Sequence, residues 1–132
     1  MSILEGLLKP ARVVHAHCDL PCGVYDPAQA RIEAESVKAC QEKFAGSEDP
    51  VFRERAIAIK EERADLVKHH LWVLWTDYFK PEHLEANPDL HEKFWNATKL
   101  AGASKKSEDP AQGQELLNAV DEIAKIFWAT KS

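Results

Sequence analysis

Four times along this chain an aspartate or asparagine is followed at once by proline: Asp26–Pro27, Asp49–Pro50, Asn87–Pro88 and Asp109–Pro110. Each pair is a start signal for a helix. The Asp or Asn side chain can accept a hydrogen bond from an N–H group that the first helical turn leaves unpaired. Proline at the next position forfeits nothing, because its missing N–H would have had no partner there. Its ring also turns the preceding residue away from helical backbone angles, as a cap requires. Gln29 and Gln112 stand at the third helical position after the first and last pairs, the pattern of a capping box. The expectation is four helices over 27–45, 50–79, 88–101 and 110–130, with stops at Gly46, before Pro81 and near Gly102, and a further turn over 82–86. No alternating strand pattern or hairpin turn competes with it.

Apolar residues recur at helical spacing within each segment. The expected core positions are Ala30, Val37, Cys40 and Phe44; Phe52, Ala56, Ile59, Leu66, Leu71, Leu74 and Tyr78; Leu90, Phe94, Ala97 and Ala101; and Leu116, Val120, Ile123 and Phe127. Four amphipathic helices with short connections make an all-α fold, an antiparallel up-down-up-down four-helix bundle. Glu33 and Arg63 interrupt the stripes of the first two helices, either as an ion pair or because one helix is rotated to expose its charge. A formal net charge of −5 excludes the basic face that nucleic-acid binding needs. No apolar run reaches the roughly 20 residues of a membrane helix. Three cysteines, Cys18, Cys22 and Cys40, are too few and too odd in number for a secreted disulfide framework and fit a reducing, cytoplasmic setting. Cys40 lies on a core stripe and reads as a small inert hydrophobe.

The segment ahead of the first helix carries the chemistry. Residues 1–16, MSILEGLLKPARVVHA, have their basic residues Lys9 and Arg12 after the apolar part and Pro10 within it, which suits a cleavable leader better than a secretory signal. Its removal would take the side-chain charge from −5 to about −6. Then come His17–Cys18–Asp19–Leu20–Pro21–Cys22, with two thiols bent toward each other by Pro21 and Gly23. Two cysteines at this spacing can be a redox pair, half a zinc site, or neither. If cleavage falls before His17, the new α-amine, the Cys18 amide and thiolate, and the Cys22 thiolate can close a square plane. Such a field suits Ni(II) or Cu(II) and disfavours tetrahedral zinc. The His17 imidazole is placed to bind axially.

The run HCDLPCGVYDP resembles the nickel-binding hook of nickel-containing superoxide dismutases. The resemblance continues through 17–132, with KHH, TDYFKP and FWATK at later positions. It implies a leader (1–16), a hook (17–25) and a bundle (26–132), one nickel ion per subunit, and a homohexamer formed after a protease removes the leader. It implies His17, Cys18 and Cys22 as metal ligands, with Glu33 and Arg63 orienting the His17 imidazole. Asp19 matches a residue of the hook, and Pro21 would follow a cis bond. Tyr25 and Tyr78 would narrow access to the metal and hold ordered water. The implied activity is disproportionation of superoxide to dioxygen and hydrogen peroxide by Ni(III)/Ni(II) cycling, with His17, Tyr25 and Tyr78 taking part in catalysis. Lys80, beside Tyr78, is the candidate for drawing in the anionic substrate. His69 and His70 are expected to split between solvent and core, and His83 and His91 to lie at the surface. Trp72, Trp75, Trp95 and Trp128 are expected to divide between core and subunit interfaces. On the residues alone, a metal carrier that binds with its leader intact and a thiol-redox protein cycling Cys18 and Cys22 remain open.

Overall fold

The computed structural model describes residues 23–131, and within them every regular element is helical. Helix α1 is Ala28–Ala45 and α2 is Pro50–Val73, continued by a π-helical turn, Leu74–Tyr78. A short α3, Pro81–Ala86, leads to α4, Leu90–Lys106, and α5, Pro110–Ala129.

Three of the four Asp/Asn–Pro pairs act as expected. Asp26 accepts from the Ala28 N–H at 2.8 Å, Asp49 from Val51 at 3.1 Å and Asp109 from Ala111 at 2.9 Å. Asn87 does not. Its side-chain amide donates to the His83 carbonyl at 3.1 Å, and its backbone N–H donates to the same oxygen at 3.0 Å. It therefore closes α3, and α4 begins later than expected, at Leu90. α4 also runs past Gly102 to Lys106. The buried face continues through Ala101 to Ser104, and Lys68 of α2 lies over Gly102, so packing overrides the glycine. Nor does Gln112 complete a capping box: its amide donates to the Leu100 carbonyl at 2.9 Å and its oxygen accepts from Gln41 at 3.0 Å.

Helix α1 packs on α2 and α5, and α4 packs on the same two. Phe44 meets Arg53 and Glu33 meets Arg63 between α1 and α2. Arg31 meets Asp121 and Gln41 meets Gln112 between α1 and α5. Trp75 meets Phe94 and Asp65 meets Lys105 between α2 and α4. Lys93 meets Glu122 and Leu100 meets Gln112 between α4 and α5. Numbers rise on one helix as they fall on its neighbour, so adjacent helices are antiparallel, and α2 and α5 end at the same end of the bundle.

Every expected core position on α4 and α5 is buried. α2 is rotated from its expected face. Its buried stripe is Ala56, Lys60, Ala64, Val67, Leu71 and Leu74, whereas Phe52 and Ile59 are exposed. On α1 the stripe is Ala30, Ala34, Val37 and Gln41, leaving Cys40 and Phe44 half-buried. The displacement follows from polar residues that the core accepts because they are bonded. The fully buried Lys60 donates its ammonium to the Ser107 carbonyl at 2.8 Å and to Glu108 at 2.5 Å. Gln41 donates to the same Ser107 carbonyl at 3.1 Å and lies over Gly113, where a Cβ would collide with it and would stand 2.9 Å from the Lys38 Cα. Lys60→Met should lower stability by about 3 kcal/mol, because it leaves Glu108 and the Ser107 carbonyl without their cation. Thermal or urea unfolding checks it, and a variant as stable as the parent would contradict it.

Candidate metal centre

Residues 17–22, and with them His17, Cys18, Asp19, Pro21 with the bond before it, and Cys22, lie outside the described residues. The chain that follows them is described. Gly23 has φ +65°, a left-handed conformation that glycine adopts without a Cβ clash. Tyr25 then packs its ring on Tyr78, with centroids 5.3 Å apart.

Tyr78 owes its place to the π turn. The Phe79 N–H bonds back to the Leu74 carbonyl at 3.1 Å, five residues away, so the last turn of α2 is wider than an α-turn and its side chains are re-aimed. The Tyr78 ring meets Phe127 of α5 at 4.5 Å and stacks nearly parallel to His83 at 5.8 Å. Its hydroxyl lies 2.5 Å from Thr130 Oγ1, and the Lys131 ammonium sits 5.1 Å from the ring centroid. The structure thus brings Tyr25 and Tyr78 together, with a cation beside them. Lys131, not Lys80, faces the Tyr78 ring, while the Lys80 backbone N–H donates to His83 Nδ1 at 3.0 Å. His83 is consequently half-buried in the ring cluster rather than a bare surface residue. Thr130 and Lys131 were missed by sequence reasoning, and His83 was expected at the surface. The available signal was parity: in an antiparallel four-helix bundle the second and fourth helices end at the same end of the bundle, which puts residue 130 near residue 78.

Glu33 and Arg63 meet as an ion pair, with Arg63 Nη1 3.3 and 3.2 Å from the two carboxylate oxygens. The hydrogen bond and charge of Glu33 hold the guanidinium's proton more tightly than usual. Arg63 also donates to Glu62 at 2.8 Å. His69 is exposed and His70 half-buried, the expected split. Burial pushes the His70 proton affinity down, the neighbouring His69 adds to this, and the charge of Glu33 opposes it. Cys40 is a free, half-buried thiol that burial keeps protonated more firmly than usual, in keeping with an inert residue. His91 is exposed, and its Nδ1 accepts from Trp75 Nε1 at 2.7 Å. Trp75 is half-buried and stacked on Phe94, while Trp72, Trp95 and Trp128 are exposed. Among the described residues no three His, Cys, Asp or Glu side chains converge to hold a metal ion.

Comparison with known proteins places this arrangement. A family model described as nickel-containing superoxide dismutase matches residues 12–131. Proteins named superoxide dismutase [Ni] from Streptomyces coelicolor and Streptomyces seoulensis are each 60% identical over 129 residues, spanning 98% of this chain and 98% of theirs. A native nickel superoxide dismutase structure superposes with a TM-score of 0.86 at 62% identity, covering 88% of this chain and 100% of that one. A nickel-containing superoxide dismutase with the ligation of the oxidised state superposes at 0.85 and 63% identity, covering 87% and 98%.

The lowered proton affinity of His70 has a consequence for stability. Below the ordinary histidine value, near pH 6.5, the unfolded chain takes up a proton that the folded chain resists. Stability should therefore fall as pH drops from about 6.5 toward the folded value and should not respond to this group above that window. His70→Gln should flatten that part of the profile. Melting curves between about pH 7.5 and 5 check it, and an identical slope in the variant would contradict it.

Proposed function

This chain belongs to the nickel-containing superoxide dismutases, and from that membership we propose how its own residues disproportionate superoxide to dioxygen and hydrogen peroxide. The observation that carries the reading is the meeting of Tyr25 and Tyr78, the chain's only two tyrosines, three residues after the last candidate ligand. The donor set of the hook fits nickel: two thiolates from Cys18 and Cys22, the Cys18 amide nitrogen, and the α-amine and imidazole of His17. Planar nitrogen and sulfur donors suit this metal, and anionic thiolate and amidate donors favour its higher oxidation state. When bound, nickel supplies the one-electron couple that both halves of the reaction require.

The remaining roles fall to the chain. Residues 1–16 are removed so that His17 gains a free α-amine. In support, residues 17–132 are 116 of the 132 residues, the same 88% share that the native solved relative covers, whereas the Streptomyces sequences match 98% of the chain. The Glu33–Arg63 pair orients the His17 imidazole, the usual task of groups that hydrogen-bond to a ligand. Asp19 shapes the hook between the two cysteines. Tyr25 and Tyr78 narrow the approach and hold water from which protons reach the peroxide. Lys131 gives an anionic substrate a local positive charge in a chain whose net charge is −5. Exposed Trp72, Trp95 and Trp128 support assembly into a homohexamer, since such rings are enriched at interfaces. Three cysteines, and the fact that no helix of the described residues is long and apolar enough to cross a membrane, support a cytoplasmic enzyme.

Cys18→Ser and Cys22→Ser should each abolish nickel redox and superoxide turnover, and full activity in either would overturn the ligand assignment. His17→Gln should retain Ni(II) but cycle poorly. Glu33→Gln should keep nickel and lose on the order of 10- to 100-fold in turnover. Nickel content and superoxide decay measured on the same preparations separate these outcomes.

A further inference from the structure

The hydroxyl of Thr130 makes two contacts, 2.6 Å to the Phe127 carbonyl and 2.5 Å to the Tyr78 hydroxyl. A threonine hydroxyl carries one hydrogen. A carbonyl oxygen can only accept, so that hydrogen is committed to Phe127. Tyr78 must then be the donor in the second contact, and its one proton points at Thr130 Oγ1. Among the described residues Thr130 is the one hydrogen-bond partner of this phenol. All that the Tyr78 oxygen has left to offer water or substrate is its acceptor lone pairs.

We propose that Thr130 is a positioning residue that fixes the polarity of Tyr78, holding its proton away from the reaction so that its oxygen accepts hydrogen bonds and does not donate them. The inference rests on the reading of the hook as the nickel site and refines the part played by Tyr78. Superoxide is an anion and seeks donors, whereas hydrogen peroxide and water both donate. Tyr78 so arranged does not bind the substrate anion through its proton and is not the proton source. It accepts from water or from the leaving peroxide. The supporting packing is firm. Thr130 is fastened at the end of α5 by its own N–H to the Ile126 and Phe127 carbonyls, at 3.2 and 3.1 Å. Phe127 and His83 on the Tyr78 ring, with the Lys131 ammonium near it, restrict how the phenol can turn.

The test uses the tyrosine count. Tyr25→Phe leaves Tyr78 as the only tyrosine of the chain. The intensity ratio of the ring doublet in its Raman spectrum then reports whether that phenol donates or accepts. The chain carrying Tyr25→Phe alone should give the donor signature. Adding Thr130→Val should abolish that signature, and Thr130→Ser, which keeps a hydroxyl, should restore it. In the nickel-loaded enzyme with Tyr25 intact, Thr130→Val should lower turnover on the order of fivefold, about the loss of one positioned hydrogen bond, with nickel content unchanged and rescue by Thr130→Ser. A Tyr78 signature that is not a donor's in the Thr130 chain, or one unaffected by Thr130→Val, overturns the polarity. A changed signature with unchanged turnover overturns the positioning role. Loss of turnover in every protein, the parent included, would sink the functional reading instead, and the Raman arm would still decide the polarity.

Discussion

The contact between Tyr78 and Phe127, 4.5 Å between ring centroids, ties together the ends of α2 and α5. It exists because α2 loosens into a π turn before it stops. A regular α-helix through Leu74–Tyr78 would carry each residue about 100° round the axis from the last, and the wider turn resets that register. The ring cluster is built around the result, with Tyr25, His83, Phe79 and Phe127 all placed on Tyr78. Tyr25, two residues after the positive-φ Gly23, is thereby fixed on this cluster. A side chain placed on a helix end and packed by rings on several sides can hold a geometry that an isolated loop could not.

Away from the site, the bundle departs from a purely apolar interior in a way that serves its connections. Lys60, Gln41 and the Ser107 carbonyl form one bonded group where α4 gives way to α5. The carbonyl needs donors because the helix has ended and no further N–H follows it. A lysine reaching across from α2 supplies one without opening the core to water. The same end is closed by Gln112 bonding to Leu100, which holds the start of α5 against α4.

The fold was legible wherever one signal acted alone. Asp26, Asp49 and Asp109 each face a single choice, cap or solvent, and they cap. On α4 and α5 all eight expected positions are buried, with Ser104 the one polar side chain buried among them. Legibility failed where two local rules met tertiary contacts. Asn87 follows a helix as closely as it precedes one, and it bonds backward. Gly102 looks like a stop but lies under Lys68 on a face that goes on burying residues. Lys60 cannot be told from a surface lysine without knowing that Ser107 and Glu108 will stand opposite it, so the face of α2 was misjudged. At the proposed site, the candidate ligands in HCDLPCGVYDP could be read from the sequence because they are neighbours in it. Thr130 and Lys131 join it only through helix parity, and the π turn leaves no mark in composition or periodicity.

The central claim is that these residues become a nickel enzyme when His17 has a free α-amine. A chain beginning at His17 and the full-length chain should each be loaded with nickel without oxygen, and superoxide decay followed side by side. The account predicts fast decay with the trimmed chain and none beyond background with the full-length one, because an amide nitrogen is a far poorer donor than an amine. Equal, fast decay from both would contradict the role of the α-amine, and decay from neither would contradict the enzyme itself.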